Sequence, residues 1–382
     1  MGLVFSDAEM RNRVARAQDL IKKEKFDALL ISGEDNFQYF TGISGTLCLH
    51  ASHSRPAVVV VPDDGSSIAV VGNLFEDLMR LSAVGDVRTY QSTTGVPVEL
   101  YVSALKDAGL TNKKIGIEQG LETRLGQPLG ELMGVLKALP DVTFADASSL
   151  IWQLRMVKSS EEVDLMKKAA EITGKARQKT FDQIKDGMTH REIARLFSKL
   201  MFEYGADRVG FIHVGTKHIP VNHTQLHSDI RVSKGDAIYL DGGAYVRTHT
   251  IDFPRIAVLG KPTEELEKSH ESIRKVSVRM ANFMKPGISC SELWKVGQDA
   301  MKEVGMGFHT IGRTGHGQGI LVTEPPSVAP HDRTILKRGM VVSTEPTTRV
   351  GEMWMFWEDV HVVTEDGHEQ ISLETDVLRE ID

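Results

Sequence analysis

The sequence predicts two domains, an α/β module followed by an α+β domain whose helices cover a curved, largely antiparallel sheet. A chain of 382 residues favours more than one domain and can bury a sizeable core. Strand and helix patterns alternate over the first 150 residues, and longer helices with separate groups of strands follow. We place the boundary near residue 155, which gives domains of residues 1–155 and 156–382.

The first domain shows short elements in alternation. The segment RVARAQDLIKKEKF has apolar residues at helical spacing, and the DALLISG that follows it predicts a short buried strand. RPAVVVVPDDGSSIAVVG contains two β-branched runs joined by Asp-Asp-Gly-Ser-Ser, which predicts a hairpin. VELYVSALKDAGL has a helical pattern and KKIGIE a strand pattern. This alternation is typical of an α/β module.

A capping box opens the second domain. Ser159 is followed three residues later by Glu162, ahead of a long amphipathic pattern, which predicts a helix from this point. THREIARLFSKLMFEYG and SHESIRKVSVRMANFMK predict further helices. The strand-like runs are DAIYLDGGAY, RIAVLG, GMVVSTEP and VHVVTEDG. Helices and strands in this order favour an α+β domain.

Composition excludes several functional classes. Apolar residues make up 41% and charged residues 25%, with a net charge of −7 and no basic block, so nucleic-acid binding has no electrostatic support. The sequence contains no run of about 18 apolar residues and so predicts no membrane span. The two cysteines, Cys48 and Cys290, form neither a CxxC pair nor a disulfide framework. We therefore expect a cytoplasmic protein that binds neither nucleic acid nor membrane.

Five residues in restrictive settings are candidate metal ligands. Asp241 and Asp252 interrupt the apolar stretch YLDGGAYVRTHTIDFPR, where a buried carboxylate is costly unless a cation meets it. His316 lies in RTGHGQG, whose glycines allow close backbone approach, Glu345 ends the strand pattern GMVVSTEP, and Glu358 precedes VHVV. Four converging carboxylates would repel one another without cations. Two divalent ions would balance their charge.

In their order along the chain these motifs resemble the pita-bread metallopeptidase family, which includes aminopeptidase P, prolidase, methionine aminopeptidase and creatinase. The matching stretches are KGDAIYLDGGAY, IDFPR, TGHGQG, EPPSVAP, KRGMVVSTEP and EDVHVVTEDG. DNFQYFTGISG and RPAVVVVP resemble the creatinase-type N-terminal domain. The resemblance implies a dinuclear metal-dependent hydrolase of a C–N bond, of the Xaa-Pro dipeptidase or aminopeptidase type.

The resemblance also implies a role for each candidate ligand. Asp241 would bind one ion, Asp252 and Glu358 would bridge both ions, and His316 and Glu345 would complete the other. Glu345 would also accept the proton of the attacking water, as a general base. Mostly oxygen ligands with one nitrogen suit Mn²⁺, while Co²⁺, Fe²⁺ and Zn²⁺ stay open.

The positions around these ligands depart from the proline-cleaving members. Gly312 and Thr323 stand where those members have histidines, and Phe356 stands where they often have an arginine. Such groups hold the substrate and stabilise the tetrahedral intermediate, so their loss affects catalysis strongly. The histidine that the family places before the first aspartate strand is expected at His223, with His227 as a second choice. Three further histidines lie near these motifs in the sequence: His213, His218 and His249.

In place of these polar groups, the segment MWMFWED supplies aromatic side chains. Trp354 and Phe356 are two residues apart and share one face of a strand, while Trp357 points the other way. They either fill the core or contact an apolar or cationic substrate group. Our candidate substrate-binding residues are Trp354, Phe356 and Thr323.

Two alternative functions stay open, and the resemblance also implies an oligomeric state. An enzyme of the same fold could act on a small non-peptide substrate, as creatinase, ectoine hydrolase and a dimethylsulfoniopropionate-cleaving branch do, or the chain could be a non-catalytic binding protein. The substrate is expected to be a small molecule or a short peptide. The resemblance also implies a homodimer in which His50 and His53 face the partner's active site.

Overall fold

The computed structural model divides the chain into two compact units, Met1–Arg155 and Met156–Asp382. It describes residues 4–43, 56–92, 95–216, 228–307, 312–351, 353–374 and 377–382. Within these ranges, no helix is both long enough and apolar enough to cross a membrane.

The first unit has short helices and strands in alternation, as predicted. Its helices are α1 (Asp7–Lys23), α2 (Glu34–Thr41), α3 (Glu76–Met79), α4 (Val98–Asp107), α5 (Leu129–Ala138) and α6 (Ser148–Arg155). Its strands are β1 (Ala28–Ile31), β2 (Val58–Pro62), β3 (Ile68–Gly72), β4 (Asp86–Tyr90), β5 (Lys114–Ile117) and β6 (Thr143–Asp146). A single turn of 3-10 helix, Asn73–Phe75, precedes α3.

These six strands form one mixed sheet in the order β4-β3-β2-β1-β5-β6. β2 and β3 pair antiparallel, which confirms the predicted hairpin. β1 pairs antiparallel with β2 and parallel with β5, and β5 and β6 are also parallel. Apolar side chains of α4 and α5, such as Leu105 and Val135, pack with those of the sheet, such as Leu30 and Val60, in one buried cluster. The α/β prediction for this part is confirmed.

The described part of the second unit contains four long helices. They are α7 (Ser160–Phe181), α8 (His190–Glu203), α9 (Glu264–Phe283) and α10 (Cys290–Glu303). The predicted capping box is present at α7, where Ser159 accepts the backbone N–H of Glu162 and the Glu162 side chain accepts the N–H of Ser159. Such reciprocal bonds satisfy two backbone donors that a helix end otherwise leaves unpaired.

Among the residues that the structure describes, the strands of the second unit form two five-stranded sheets and a two-stranded ribbon. They are β7 (Arg208–Gly215), β8 (Ala237–Val246), β9 (His249–Thr250), β10 (Arg255–Leu259), β11 (His316–Gly317), β12 (Glu324–Ser327), β13 (Val341–Thr344), β14 (Thr347–Val350), β15 (Met353–Phe356), β16 (Asp359–Val363), β17 (His368–Gln370) and β18 (Arg379–Ile381). The described pairings are antiparallel except for β10 with β18. The predicted α+β class is confirmed, with the strands divided between two sheets.

Sheet topology explains how distant sequence segments meet. One sheet has the order β18-β10-β8-β7, with β9 paired to β8, and the other has the order β12-β11-β13-β16-β17. His316 begins β11, Glu345 follows β13 and Glu358 precedes β16, so these three residues lie in or directly beside neighbouring strands of the second sheet. Asp241 lies within β8 of the first sheet. Asp252 lies between β9 and β10, outside any strand.

Candidate metal centre

Three of the predicted ligands form a compact cluster. Asp252, His316 and Glu358 are buried, and each offers a ligand atom within 4.8 Å of those of the other two. His316 Nε2 lies 3.6 Å from Glu358 Oε1 and 3.9 Å from Glu345 Oε2. The Glu345 side chain is 19% exposed, so it is the most accessible group of this set. The structure therefore brings four of the five predicted side chains together.

Asp241 is held beside them by its strand. Tyr239 donates its hydroxyl to Asp241 Oδ2 at 2.8 Å, and the backbone N–H of Gly242 donates to Oδ1 at 2.8 Å. His213 faces Asp241 across the β7–β8 pairing, with 3.9 Å between His213 Nδ1 and Asp241 Oδ2. Asp241 also contributes to the raised pKa of Asp252, Glu358 and Glu345. All five predicted ligands thus belong to one electrostatic cluster.

Burial makes this cluster costly when it is charged. It raises the pKa of Asp252 and of Glu358 well above the usual range, and the neighbouring carboxylates raise both further. Burial likewise raises the pKa of Glu345 to about 7, against the opposing effect of the Arg313 guanidinium. The pKa of His316 falls to about 3 because burial disfavours the imidazolium. A neutral imidazole among carboxylates is the protonation state of a metal ligand.

The donor set fits divalent cations. His316 Nδ1 lies 3.0 Å from the Gly317 carbonyl oxygen, a contact in which Nδ1 donates and the Nε2 lone pair faces the carboxylates. Asp252 Oδ1 is buried and, within the described ranges, has no hydrogen-bond partner. A buried polar atom without a partner requires an explanation, and a cation supplies one here. Four carboxylates and one imidazole suit ions such as Mn²⁺.

Glycines shape the backbone around His316, as the sequence predicts. Gly315 has a φ of +151°, and a side chain there would collide with the carbonyl of Ser343. A side chain at Gly317 would collide with the carbonyl of Pro325. Only glycine allows β11 to pack so closely between its two neighbours.

Sequence reasoning missed Gln318, which connects two of the ligands through hydrogen bonds. Its side-chain Oε1 accepts the N–H of Asp252 at 2.8 Å, and its Nε2 donates to the Asp252 carbonyl at 2.8 Å and to Glu358 Oε1 at 3.1 Å. Gln318 is fully buried and lies two residues after His316. Groups that hydrogen-bond to metal ligands fix the orientation of those ligands. The amide type of residue 318 was the available signal, since a polar side chain inside GHGQG requires partners.

Replacing Gln318 by Met is expected to weaken Mn²⁺ binding about 10- to 100-fold, because Met keeps the volume but makes none of the three hydrogen bonds. Isothermal titration of the metal-free protein with Mn²⁺ measures this affinity. Gln38→Met is the matched control, since Gln38 is also buried and donates to a carboxylate, Glu34, far from the cluster in sequence. Wild-type affinity and stoichiometry in Gln318→Met would show that Gln318 does not orient the ligands.

Arg255 forms hydrogen bonds with the backbone at or next to two of the ligands. Its Nη1 donates to the Pro254 carbonyl at 2.9 Å and to the Glu358 carbonyl at 2.7 Å, while Nη2 donates to Asp359 Oδ1 at 2.7 Å. The buried Trp357 donates its indole N–H to the other oxygen of Asp359 at 2.7 Å. Two carbonyl oxygens and one carboxylate oxygen accept hydrogen bonds from this buried guanidinium and stabilise its charge. It holds the segments that carry Asp252 and Glu358 at a fixed spacing.

The candidate substrate-binding residues differ in their surroundings. The Trp354 and Phe356 rings stack at 6.1 Å, which confirms that they share a face. Phe356 is 4% exposed and its ring lies 5.0 Å from that of Tyr239, the residue that hydrogen-bonds Asp241. Phe356 therefore fills an apolar cluster next to the centre, and Trp354 covers it. Thr323 accepts a hydrogen bond from Arg313 Nη2 at 3.4 Å.

The structure describes two of the predicted histidines, His213 and His249. His213 lies at Asp241, whereas His249 is fully buried and its Nε2 lies 3.1 Å from Glu162 Oε1, at the start of α7. Five others lie outside the described residues: His50, His53, His218, His223 and His227. The role expected of His223 or His227 thus stays a prediction.

Comparisons with known proteins agree with this architecture. The family model "Metallopeptidase family M24" matches residues 164–365, and "Creatinase/Prolidase N-terminal domain" matches residues 13–157. The Xaa-Pro dipeptidase of Pyrococcus furiosus is 27% identical over 365 residues, which cover 95% of this chain and 98% of that protein.

Solved structures extend the likeness to nearly the whole chain. A dipeptidase from Pyrococcus horikoshii superposes with a TM-score of 0.85 at 28% identity, over 96% of this chain and 99% of that one. A recombinant prolidase from Thermococcus sibiricus gives a TM-score of 0.85 at 26% identity, over 97% of this chain and 98% of that one. The chain therefore belongs to metallopeptidase family M24 and is a metal-dependent hydrolase.

Proposed function

We propose that the chain is a dinuclear metal-dependent Xaa-Pro dipeptidase, with Xaa-Pro aminopeptidase activity as its nearest variant. The main support is the cluster of Asp252, His316 and Glu358, whose ligand atoms lie within 4.8 Å of one another, with Glu345 and Asp241 beside it. The relatives called Xaa-Pro dipeptidase and prolidase support the substrate class.

The five clustered side chains would hold two divalent cations. Their mostly oxygen donors favour Mn²⁺, with Co²⁺, Fe²⁺ and Zn²⁺ as alternatives. When bound, such a pair of ions polarises the scissile carbonyl and acidifies a water molecule at neutral pH.

The protein's own groups carry the proton and position the substrate. Glu345, with its partly exposed carboxylate, would take the proton of the attacking water on a side-chain oxygen. Trp354 and Phe356 would cover one side of the site and exclude water from it. Thr323 would contact the substrate through its hydroxyl group. His223 would donate a hydrogen bond or a proton to the substrate, as the first-strand histidine of the family is expected to do.

The proposal predicts that Mn²⁺-loaded protein releases free proline from dipeptides such as Ala-Pro, as measured by a colorimetric proline assay. Glu345→Gln should lower this rate at least about 100-fold, because a general base contributes about 10²- to 10⁴-fold. Release of proline at the same rate by the wild type and by Glu345→Gln would reject Glu345 as the base. No proline release by the wild type would reject the peptidase assignment.

One observation favours a second candidate, an enzyme of the same fold acting on a small non-peptide substrate. Phe356 occupies a position next to the centre that the proline-cleaving members often give to an arginine, and here it packs against Tyr239 and Trp354. An aromatic wall suits an apolar or cationic group. A metabolite screen with the metal-loaded protein distinguishes this candidate from the dipeptidase.

We also propose a cytoplasmic homodimer built from a creatinase-like domain of residues 1–155 and a catalytic domain of residues 156–382. The two family matches, over residues 13–157 and 164–365, support this division. Sedimentation equilibrium of the purified full chain would test the dimer.

A further inference from the structure

The connection between β11 and β12 ends on a buried ion pair. Residues 318–323 form this connection, and its last residue, Thr323, is a candidate substrate contact. Glu324 begins β12, and its Oε2 lies 3.1 Å from Lys158 Nζ, with the Lys158 side chain 2% and the Glu324 side chain 1% exposed. Loss of either partner of a buried ion pair leaves an uncompensated charge, so each side chain holds the other in place.

Glu324 also bonds the connection that precedes it. Its Oε1 accepts the backbone N–H of Leu321 at 3.0 Å, and the N–H of Gly319 donates to the Leu321 carbonyl at 3.0 Å. A side chain at Gly319 would come within 2.7 Å of Glu324 Oε2 and 2.9 Å of Lys158 Cε, so the connection packs directly on the ion pair. One carboxylate thus bonds the connection through one oxygen and Lys158 through the other.

Lys158 is itself fixed next to the strand that leads to the candidate base. Its backbone N–H donates to the carbonyl of Gly339 at 2.9 Å, two residues before β13 begins. Glu345 directly follows β13. The contact between Lys158 and Glu324 therefore links the strand that presents Glu345 to the connection that presents Thr323.

We propose that Lys158 is a positioning residue, which through its ion pair with Glu324 holds Thr323 at a fixed distance from Glu345. This inference rests on the proposed dipeptidase function and concerns the placement of one substrate contact within that site. Consecutive Cα atoms are about 3.8 Å apart, so a displacement of Glu324 moves Thr323 as well. A contact that binds ground state and transition state alike affects KM and leaves kcat unchanged.

The test uses Mn²⁺-loaded protein and Ala-Pro. Lys158→Met keeps an apolar stem and removes the ammonium, and we expect KM to rise about 3- to 10-fold, the value of one neutral hydrogen bond, with kcat changed by less than about twofold. Thr323→Val, which removes the hydroxyl group itself, should raise KM by about the same factor. In the Thr323→Val background, Lys158→Met should raise KM by less than about 1.5-fold, because both changes act on the same contact.

A second variant separates positioning from loss of stability. Lys158→Met leaves the buried carboxylate of Glu324 without this partner and so should lower the urea midpoint of unfolding. Lys158→Met/Glu324→Gln removes both charges and keeps an acceptor for the Leu321 N–H, so its midpoint should return towards the wild-type value while KM stays raised. A purely structural ion pair would instead reduce the folded fraction, which lowers the measured kcat and leaves KM unchanged.

The matched control is a second lysine–glutamate pair of the same unit. Lys167 on α7 pairs with Glu369 at 2.6 Å, but their side chains are 40% and 52% exposed, so Lys167→Met should change neither KM nor kcat. A wild-type KM in both Lys158 variants overturns the inference while the dipeptidase function stands, and so do effects of Lys158→Met and Thr323→Val that add in full. A wild type that releases no proline from Ala-Pro overturns the proposed function and this inference together.

Discussion

Replacing Asp252 by Asn is expected to lower peptidase activity at least about 1,000-fold and, in the metal-free protein, to raise stability. The loss of activity follows because Asp252 belongs to the cluster of His316 and Glu358 that would hold both ions. The gain in stability follows because the wild type buries Asp252 with its pKa raised well above the usual range, through burial and through Asp241 and Glu358. Asn carries no charge and so avoids that penalty.

The sign of this stability change follows from the protonation of Asp252 in the folded and in the unfolded protein. A carboxyl group whose pKa is higher in the folded than in the unfolded state makes the fold less stable at every pH above the unfolded value, about 3.9 for Asp. At pH 8, metal-free wild type carries this penalty and Asp252→Asn does not. The Asn amide also gains the ability to donate to Asp241 or Glu358. We expect a rise of roughly 1–3 kcal/mol in the free energy of unfolding.

Bound metal should reverse the order of stability, so that the wild type becomes more stable than Asp252→Asn. A ligand that binds only the folded state stabilises it by about 2.7 kcal/mol at 100 times its dissociation constant. Wild type gains this stabilisation from Mn²⁺, whereas Asp252→Asn loses most of it. Urea unfolding with EDTA and with saturating Mn²⁺ measures both effects, with Asp164→Asn, an exposed position of the same unit, as the control. If metal-free Asp252→Asn is the less stable protein, the buried carboxylates do not repel one another as described.

The clustering of the five candidate ligands was predictable because each stands in a setting that an isolated carboxylate or imidazole rarely occupies. Asp241 lies within a ten-residue strand that is buried throughout, and Glu345 directly follows a buried strand. Periodicity and capping signals predicted the elements around them, for instance α7 from Ser159 and Glu162. Local patterns suffice for such features because burial in a strand is a local property of the sequence.

Other features depend on contacts between distant segments and leave no local pattern. Gln318 and Arg313 are ordinary residues in a glycine-rich loop until their partners, Asp252 and Thr323, are brought to them. The buried carboxylate of Glu324, the residue after Thr323, likewise pairs with the distant Lys158 at 3.1 Å. The division of the strands between two sheets likewise depends on pairing over long sequence separations, as between β10 and β18. Partner choice is a tertiary property, which residue type alone does not specify.

Metal-free wild type is expected to lose stability as the pH rises from 5 to 8, and Glu345→Gln to lose less. Burial raises the pKa of Glu345 to about 7, while the same group has a pKa near 4.3 in an unfolded chain. Between these values the folded state binds more protons than the unfolded state, so stability falls as the pH rises. The contribution is fully present below about pH 4.3 and is lost as the pH passes about 7. Its size is on the order of 3 to 4 kcal/mol.

The dependence of stability on pH should change direction when metal is present. Metal binding requires deprotonated ligands, so stability with saturating Mn²⁺ should rise over the same pH range in the wild type. Urea unfolding at unit steps of pH, with EDTA or with Mn²⁺, gives the two slopes. Glu365→Gln is the matched control, because Glu365 is 81% exposed and pairs only weakly with Arg338 at the surface. Equal EDTA slopes for the wild type and Glu345→Gln would mean that Glu345 ionises in the folded protein as it does in water. In that case burial would not prepare this carboxylate to accept a proton near neutral pH.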